Sequence, residues 1–355
     1  MVYGGARLAP RESASSTLRA SINKLNKAAR LSTIIAVFVG AHGCAGTQSA
    51  LAPRGPAADQ IAGLWWFMFG SALAVYVVVL ALIVAAIGRR NREKSSADMD
   101  RSRWFLRAGL IIPPIVLAAV FMASERASGV LHAQHERDDV VVRVKGWQWW
   151  WEVTYVGSKR DQDVVTANEI HIPVGRRVRL ELTTGDVIHS FWVPNLQGKV
   201  DQVPGRTNVL WLEAERPGVS RGQCAEYCGT QHTHMALRVV AEPPDAFAAW
   251  LANERRSAVI SSDSLSQRGL GLFGQAGCAY CHAIRGTNSL GKYGPDLTHL
   301  ASRHTIGAGA ADNTAENLAT WIAEAQRIKP GNRMPNVPLD AEQRRAIVHF
   351  LMQLR

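Results

Sequence analysis

The sequence predicts a multidomain chain: a two-helix transmembrane hairpin, then an all-β sandwich, then an all-α domain. Three observations predict it. Two apolar runs stand early, at about 62–87 and 104–123. Strand-like segments punctuated by Gly/Pro turns fill 139–241. Helical patterning returns beyond a Ser-rich stretch at 257–266 and holds to the C-terminus. A length of 355 residues is enough for two or three domains. With 47% hydrophobic and 19% charged residues, the chain is neither a disordered polyelectrolyte nor a protein made mostly of membrane spans. The net charge of +11 is unevenly spread: residues 1–43 carry +5, 88–103 carry +3, and 108–355 only +2. Basic residues beside apolar runs suit membrane topology. The nearly neutral remainder argues against nucleic-acid binding.

Residues 1–43 read as a signal peptide. A basic segment with Arg19, Lys24, Lys27 and Arg30 precedes LSTIIAVFVGAHG. That run is too short to cross a membrane and ends in small residues. Cys44 follows directly, in the position of a lipid-anchored cysteine; an ordinary free cysteine is the alternative. Residues 44–124 read as the hairpin. The run at 62–87 has no charge and is long enough to span. The run at 104–123 contains Pro113 and Pro114 and spans if Arg107 reaches to the interface. The six basic residues between them place that loop in the cytoplasm, and everything after about residue 124 outside.

In the exported part, Val140–Val144, Glu169–Ile172 and Val178–Leu182 have strand composition or period-two alternation. Val187–Val193, Val209–Leu212 and Ala236–Ala241 are further strands, with turns at 173–175, 203–206 and 216–218. The spacing suggests a sandwich or Greek-key barrel over 125–250. A helix is expected at 245–256, a linker over 251–265, and a helical domain over 266–355 whose last helix is 340–354.

Two constellations carry chemistry. Cys278-Ala279-Tyr280-Cys281-His282 is the C-x-x-C-H attachment pattern of c-type haem. Two thiols at this spacing reach the two vinyl groups of one porphyrin, and His282 then ligates the iron. A redox C-x-x-C is the competing reading. The sixth ligand is expected downstream: Met334, in a Pro/Gly-rich loop, with His299 and His304 as alternatives and Met352 assigned to a helix core. The second constellation is Cys224, Cys228, His232 and Met235 on one loop, with His189 upstream. Thiolates, imidazoles and a thioether are soft ligands that suit copper. Two Cys four apart can bridge two coppers and share the electron between them. Structural zinc and a Cys224–Cys228 disulfide are the bland alternatives; Met235 is a poor zinc ligand.

The segments DVIHSFWVP, KVDQVPGR and CAEYCGTQHTHM resemble signatures of subunit II of the haem–copper cytochrome c oxidases, a likeness running from the hairpin to about residue 250. The haem segment resembles a fused cytochrome c domain, as in caa3-type oxidases. The resemblance implies a cupredoxin-like Greek-key sandwich followed by a class I cytochrome c domain. It implies a binuclear CuA centre held by His189, Cys224, the Glu226 carbonyl, Cys228, His232 and Met235. It also implies that the Glu226 side chain shares a magnesium ion with subunit I, and that Trp149 in the GWQWWW stretch admits electrons. A tryptophan packed in the sandwich core is the plain alternative for Trp149. His234 is expected to be a bystander. With a haem domain fused, electrons can reach copper internally, so Trp149 matters less for outside donors.

The implied function is that of the redox subunit of a proton-pumping terminal oxidase in a bacterial inner membrane. Electrons would pass from reduced cytochrome c or a similar donor to one haem c, then to CuA, then to oxygen in subunit I. Subunit I and other membrane subunits are the expected partners. A CuA-dependent nitric oxide reductase, or a membrane-tethered electron carrier or copper-delivery protein without a catalytic partner, are the other readings.

Overall fold

The structure, a computed structural model, describes residues 46–89, 98–132 and 140–355. The signal-peptide reading of 1–43, Cys44 and residues 90–97 of the basic loop lie outside the described residues. Helix α1 spans Pro56–Arg89 and α2 spans Asp98–His132. Within them, Pro56–Gly88 and Leu106–Gly129 are long and apolar enough to cross a membrane. The apolar side chains of these spans, such as Tyr76, Val84, Leu110 and Phe121, are left uncovered by protein, which is the condition of a lipid-facing helix. Pro113 and Pro114 lie inside α2 without ending it. Past residue 123 the Ala- and Ser-rich sequence continues the helix, so α2 extends nine residues beyond the apolar run.

The sandwich has ten strands. They are β1 (Val140–Trp147), β2 (Trp150–Tyr155), β3 (Val164–Ala167), β4 (Glu169–Pro173) and β5 (Val178–Thr184). Then come β6 (His189–Phe191), β7 (Val200–Gln202), β8 (Asn208–Leu212), β9 (Gly218–Gln223) and β10 (Ala236–Glu242). One sheet runs β3-β2-β1-β5-β8 and another β4-β10-β9, with β6 and β7 paired beside them. The β1–β5 and β4–β10 pairs are parallel, the rest antiparallel. Alternation decides the faces: in β5, Val178, Leu180 and Leu182 point in while Arg179 and Glu181 point out. Trp151, Phe191, Ile170, Leu212 and Leu237 fill the core. Tyr155 Oη ties it across, accepting from the His171 amide at 2.7 Å and donating to the His171 carbonyl at 2.9 Å.

Four of these strands, β2, β3, β7 and β9, lie outside the segments the sequence predicts. Strand β9, Gly-Val-Ser-Arg-Gly-Gln, carries one aliphatic residue and is a strand because β10 pairs with it. The residues before α1 clamp onto the same region: the Arg54 amide donates to the Asn195 carbonyl at 2.7 Å, and the Glu215 amide to the Arg54 carbonyl at 2.9 Å.

Helix α3 (Pro244–Glu254) leads into the C-terminal domain. That domain packs α4 (Ser264–Gln275), α5 (Ala315–Ile328) and α6 (Ala341–Leu351) around Phe273, Ile322, Ile347 and Phe350. Asp263, Thr314 and Asp340 cap the three helix starts by accepting from backbone amides. Helices α4 and α6 cross where α4 has Gly269, since a Cβ there would collide with the Ala346 carbonyl oxygen. The region is not wholly helical. Two tiny hairpins, β11–β12 (Ala283–Ile284, Ser289–Leu290) and β13–β14 (Thr305–Ile306, Ala311–Asp312), interrupt it. Gly286, Gly307 and Gly309, all with positive φ, supply their turns. Residues 47–355 form one compact unit.

Candidate functional site

Strands β9 and β10 form a hairpin in which Gln223 faces Ala236. The twelve residues between are the loop 224–235, and the register brings its two ends together: the Cys224 amide donates to the Met235 carbonyl at 2.9 Å. The Ala225 amide donates to the Ser190 carbonyl at 3.0 Å, which draws β6 and His189 alongside. Five side-chain donors then meet in one chain of contacts. His189 Nδ1 is 3.9 Å from Cys224 Sγ, and Cys224 Sγ is 3.8 Å from Cys228 Sγ. Cys228 Sγ is 3.6 Å from His232 Nδ1 and 3.8 Å from Met235 Sδ. The Glu226 carbonyl closes the ring, 3.3 Å from Cys224 Sγ. His189, Cys224, Cys228 and Met235 are buried.

A metal fits this cluster. The thiol sulfurs stand well beyond disulfide bonding distance, roughly 2.05 Å, and both cysteines are free. Their separation is less than twice an ordinary metal–thiolate bond of about 2.3 Å, so one ion can touch both sulfurs from either side. A proton shared between them, reinforced by His189, holds Cys224 well below the ordinary thiol value and pushes Cys228 up. The pair therefore carries one thiolate, the form that binds a soft cation. The thioether of Met235 favours copper over zinc.

Asp186 orients the first ligand. Its Oδ1 accepts a hydrogen bond from His189 Nε2 at 2.8 Å, leaving Nδ1 aimed at the thiols. Its Oδ2 accepts from the Gln148 amide at 2.8 Å. Burial alone would raise its carboxyl; hydrogen bonds from His189, Gln148 and Val187 outweigh that and lower it. In the sequence, Asp186 is marked only by its place three residues before His189. His234 bonds Gln231 Oε1 at 2.7 Å and stays out of the cluster.

The second constellation lines a cavity of about 310 Å³. Cys278 and Cys281 stand at its edge, His282 and Met334 among its walls, and Phe273, Leu297 and Ile347 make it apolar. His282 Nδ1 donates to the Pro295 carbonyl at 2.7 Å. That fixes the tautomer and leaves Nε2 bare for a metal. Burial lowers the His282 pKa, which keeps the ring neutral. Gly294 makes room for the ring, since a Cβ there would lie 2.6 Å from His282 Cε1. The apolar slot, the paired thiols and a His and a Met among its walls suit a haem. The other candidates turn elsewhere: His299 Nε2 contacts the Arg256 carbonyl, His304 Nδ1 contacts Glu169, and Met352 packs in the helical core.

Trp149 joins the two regions. It is 8% exposed. Its Nε1 donates to the Cys228 carbonyl at 3.0 Å, and it also lines the cavity. It belongs to the sandwich core as well, so the two sequence readings of Trp149 are not exclusive. The Glu226 carboxylate is half exposed, 3.9 Å from Lys199 Nζ.

Comparison with known proteins follows these two regions. The family model for the cytochrome c oxidase subunit II periplasmic domain matches residues 156–242, and that for cytochrome c matches 266–355. Cytochrome c oxidase subunit 2 of Alkalihalophilus pseudofirmus is 32% identical over 325 residues, covering 88% of this chain and 93% of that one. The chain belongs to the cytochrome c oxidase subunit II family. A second subunit 2, from Bacillus sp., is 30% identical over 69% of this chain and 70% of its own. Among solved structures, the periplasmic domain of subunit II from Bradyrhizobium japonicum matches 34% of this chain and 97% of its own length. Its identity is 28% and its TM-score 0.32. This subunit II thus pairs a copper-type domain with a haem-type domain behind two membrane helices.

Proposed function

We propose that this subunit II passes electrons singly from a reduced donor, by a covalently held haem c and a binuclear CuA centre, to subunit I. Oxygen reduction and proton pumping then belong to subunit I. Bound copper and haem supply reversible one-electron chemistry; the chain supplies geometry, burial and surroundings. Cys224 and Cys228 would bridge two coppers, completed by His189, His232, Met235 and the Glu226 carbonyl. Cys278 and Cys281 would fix the porphyrin, with His282 and Met334 on its two faces. Trp149 would admit electrons to the copper loop. The Glu226 carboxylate would hold magnesium jointly with subunit I, a hard cation suited to carboxylate oxygen. Subunit I, other membrane subunits and a reduced cytochrome c are the partners. The helices would cross a bacterial inner membrane with both domains on its outer face and Cys44 a candidate acylation site.

The observation that carries this reading is adjacency: one side chain, Trp149, touches the thiol loop and the cavity beside His282 and Met334. Metal analysis and copper EPR on the detergent-purified holo-chain test it. Two coppers and one iron per chain, with hyperfine lines of an electron shared equally by both coppers, are expected. A single-copper splitting, or zinc in its place, overturns the binuclear assignment.

A further inference from the structure

The loop after α5, residues 329–334, lies along the thiol loop. Lys329 begins it and is 2% exposed. Its Nζ donates to three carbonyls: Trp149 at 2.7 Å, His234 at 2.7 Å and Gly307 at 2.9 Å. Two belong to the sandwich domain and one to the helical domain. An ammonium carries three N–H donors and no acceptor, so this site consumes its whole capacity. No carboxylate pairs with it among the described residues. The neighbours extend the contact. Gln231 Nε2 donates to the Pro330 carbonyl at 2.8 Å. Gly331 lies against the Trp149 ring. Arg333 reaches Asp186, the residue that holds His189, at 3.7 Å. Met334 comes next and lines the cavity.

Burial pushes the Lys329 pKa down to about 7, and three convergent carbonyls are what holds the ammonium form in place against that cost. Here it grips the carbonyl of the one tryptophan that joins the two regions, and does so from the loop that carries Met334. We propose that Lys329 is a positioning residue for the internal electron step, pinning the Met334 loop to Trp149 and the thiol loop. The inference rests on the function proposed above. In that step one electron leaves ferrous haem, which becomes ferric, and is taken up by the oxidised copper pair; no atom or proton moves.

The test compares wild type, Lys329→Met and Lys329→Arg as full-length chains. The internal rate after photoreduction of the haem is measured together with haem potential and copper EPR. Hydrogen exchange of 230–234 and 329–334 is followed in the metal-free chain. Lys329→Met should slow the internal step about tenfold or more, because losing hydrogen bonds from a charged donor shifts the docked population by at least that factor. Exchange in both loops should rise, while the haem potential and copper spectrum stay as in wild type. Lys329→Arg keeps a cation but not three convergent donors and should fall between. It also serves if Lys329→Met does not fold. A folded variant with unchanged internal rate and unchanged exchange overturns the positioning role. Absence of the shared-electron copper signal in wild type would instead overturn the reading beneath it.

Discussion

His189 shows how much a single neighbour decides. Its ring is aimed at the thiols because Asp186 accepts a hydrogen bond from Nε2 at 2.8 Å. Asp186→Ala removes that hold. The loss expected for an outer-shell carboxylate is about 10–100-fold in metal affinity; competitive copper titration measures it, and unchanged affinity would assign the orientation to packing alone. Met334 offers the second test at this scale. Met334→Ala should leave the haem attached through Cys278 and Cys281 but lower its midpoint potential, because thioether ligation raises it. An unshifted potential would move the axial ligand elsewhere. The candidate ligand residues could be picked out in the sequence because their chemistry and spacing are local. Asp186 and Lys329 could not. A lysine in a Pro/Gly-rich loop reads as a solvated charge until the fold folds it under Trp149.

Between elements, β4 and the segment before β13 meet through one buried carboxylate. Glu169 accepts from the His304 amide at 2.6 Å, His304 Nδ1 at 2.9 Å and the Thr305 amide at 3.3 Å. Burial would raise Glu169, but hydrogen bonding and the charge of His304 bring it below its ordinary 4.5. Hydrogen bonding to Glu169 raises His304 above its ordinary 6.5. A raised His contributes stability in full below its unfolded value and loses it as pH climbs through the folded one. A lowered Glu contributes above its unfolded value and loses it as pH falls through the folded one. The tie is therefore strongest between pH 4.5 and 6.5 and weakens on either side of that window. Thermal melts of wild type and Glu169→Gln from acid to alkaline pH should converge as pH rises past that window; a gap that widens would refute the pairing. Strands rich in aliphatics, such as the alternating β5 and the more continuous β10, could be read directly. Strands β7 and β9 could not, since pairing partners rather than side chains make them strands, and β2 was masked by its tryptophans. The two small hairpins in the helical domain rest on two-residue pairings too short to leave a pattern.

For the whole molecule, the helical domain covers the side of the sandwich where Trp149 lies. On the proposed function, a soluble donor would meet the haem domain rather than Trp149, which is 8% exposed. Trp149→Phe should slow electron arrival at copper while leaving reduction of the haem by an external donor at its wild-type rate. Stopped-flow mixing followed at haem and copper wavelengths separates the two, and equal slowing of both would restore Trp149 as the outside contact. The covalent order of the parts was legible, because hairpin, thiol loop and haem motif follow one another along the chain. Their mutual seating was not, because it is made by backbone carbonyls and the tails of single residues. That seating has a kinetic consequence. Charged partners that must find each other by diffusion slow down as salt screens their attraction. Two centres held on one chain make no such search. Raising ionic strength should therefore retard only the arrival of electrons from outside, leaving the last leg of their route as fast in brine as in dilute buffer.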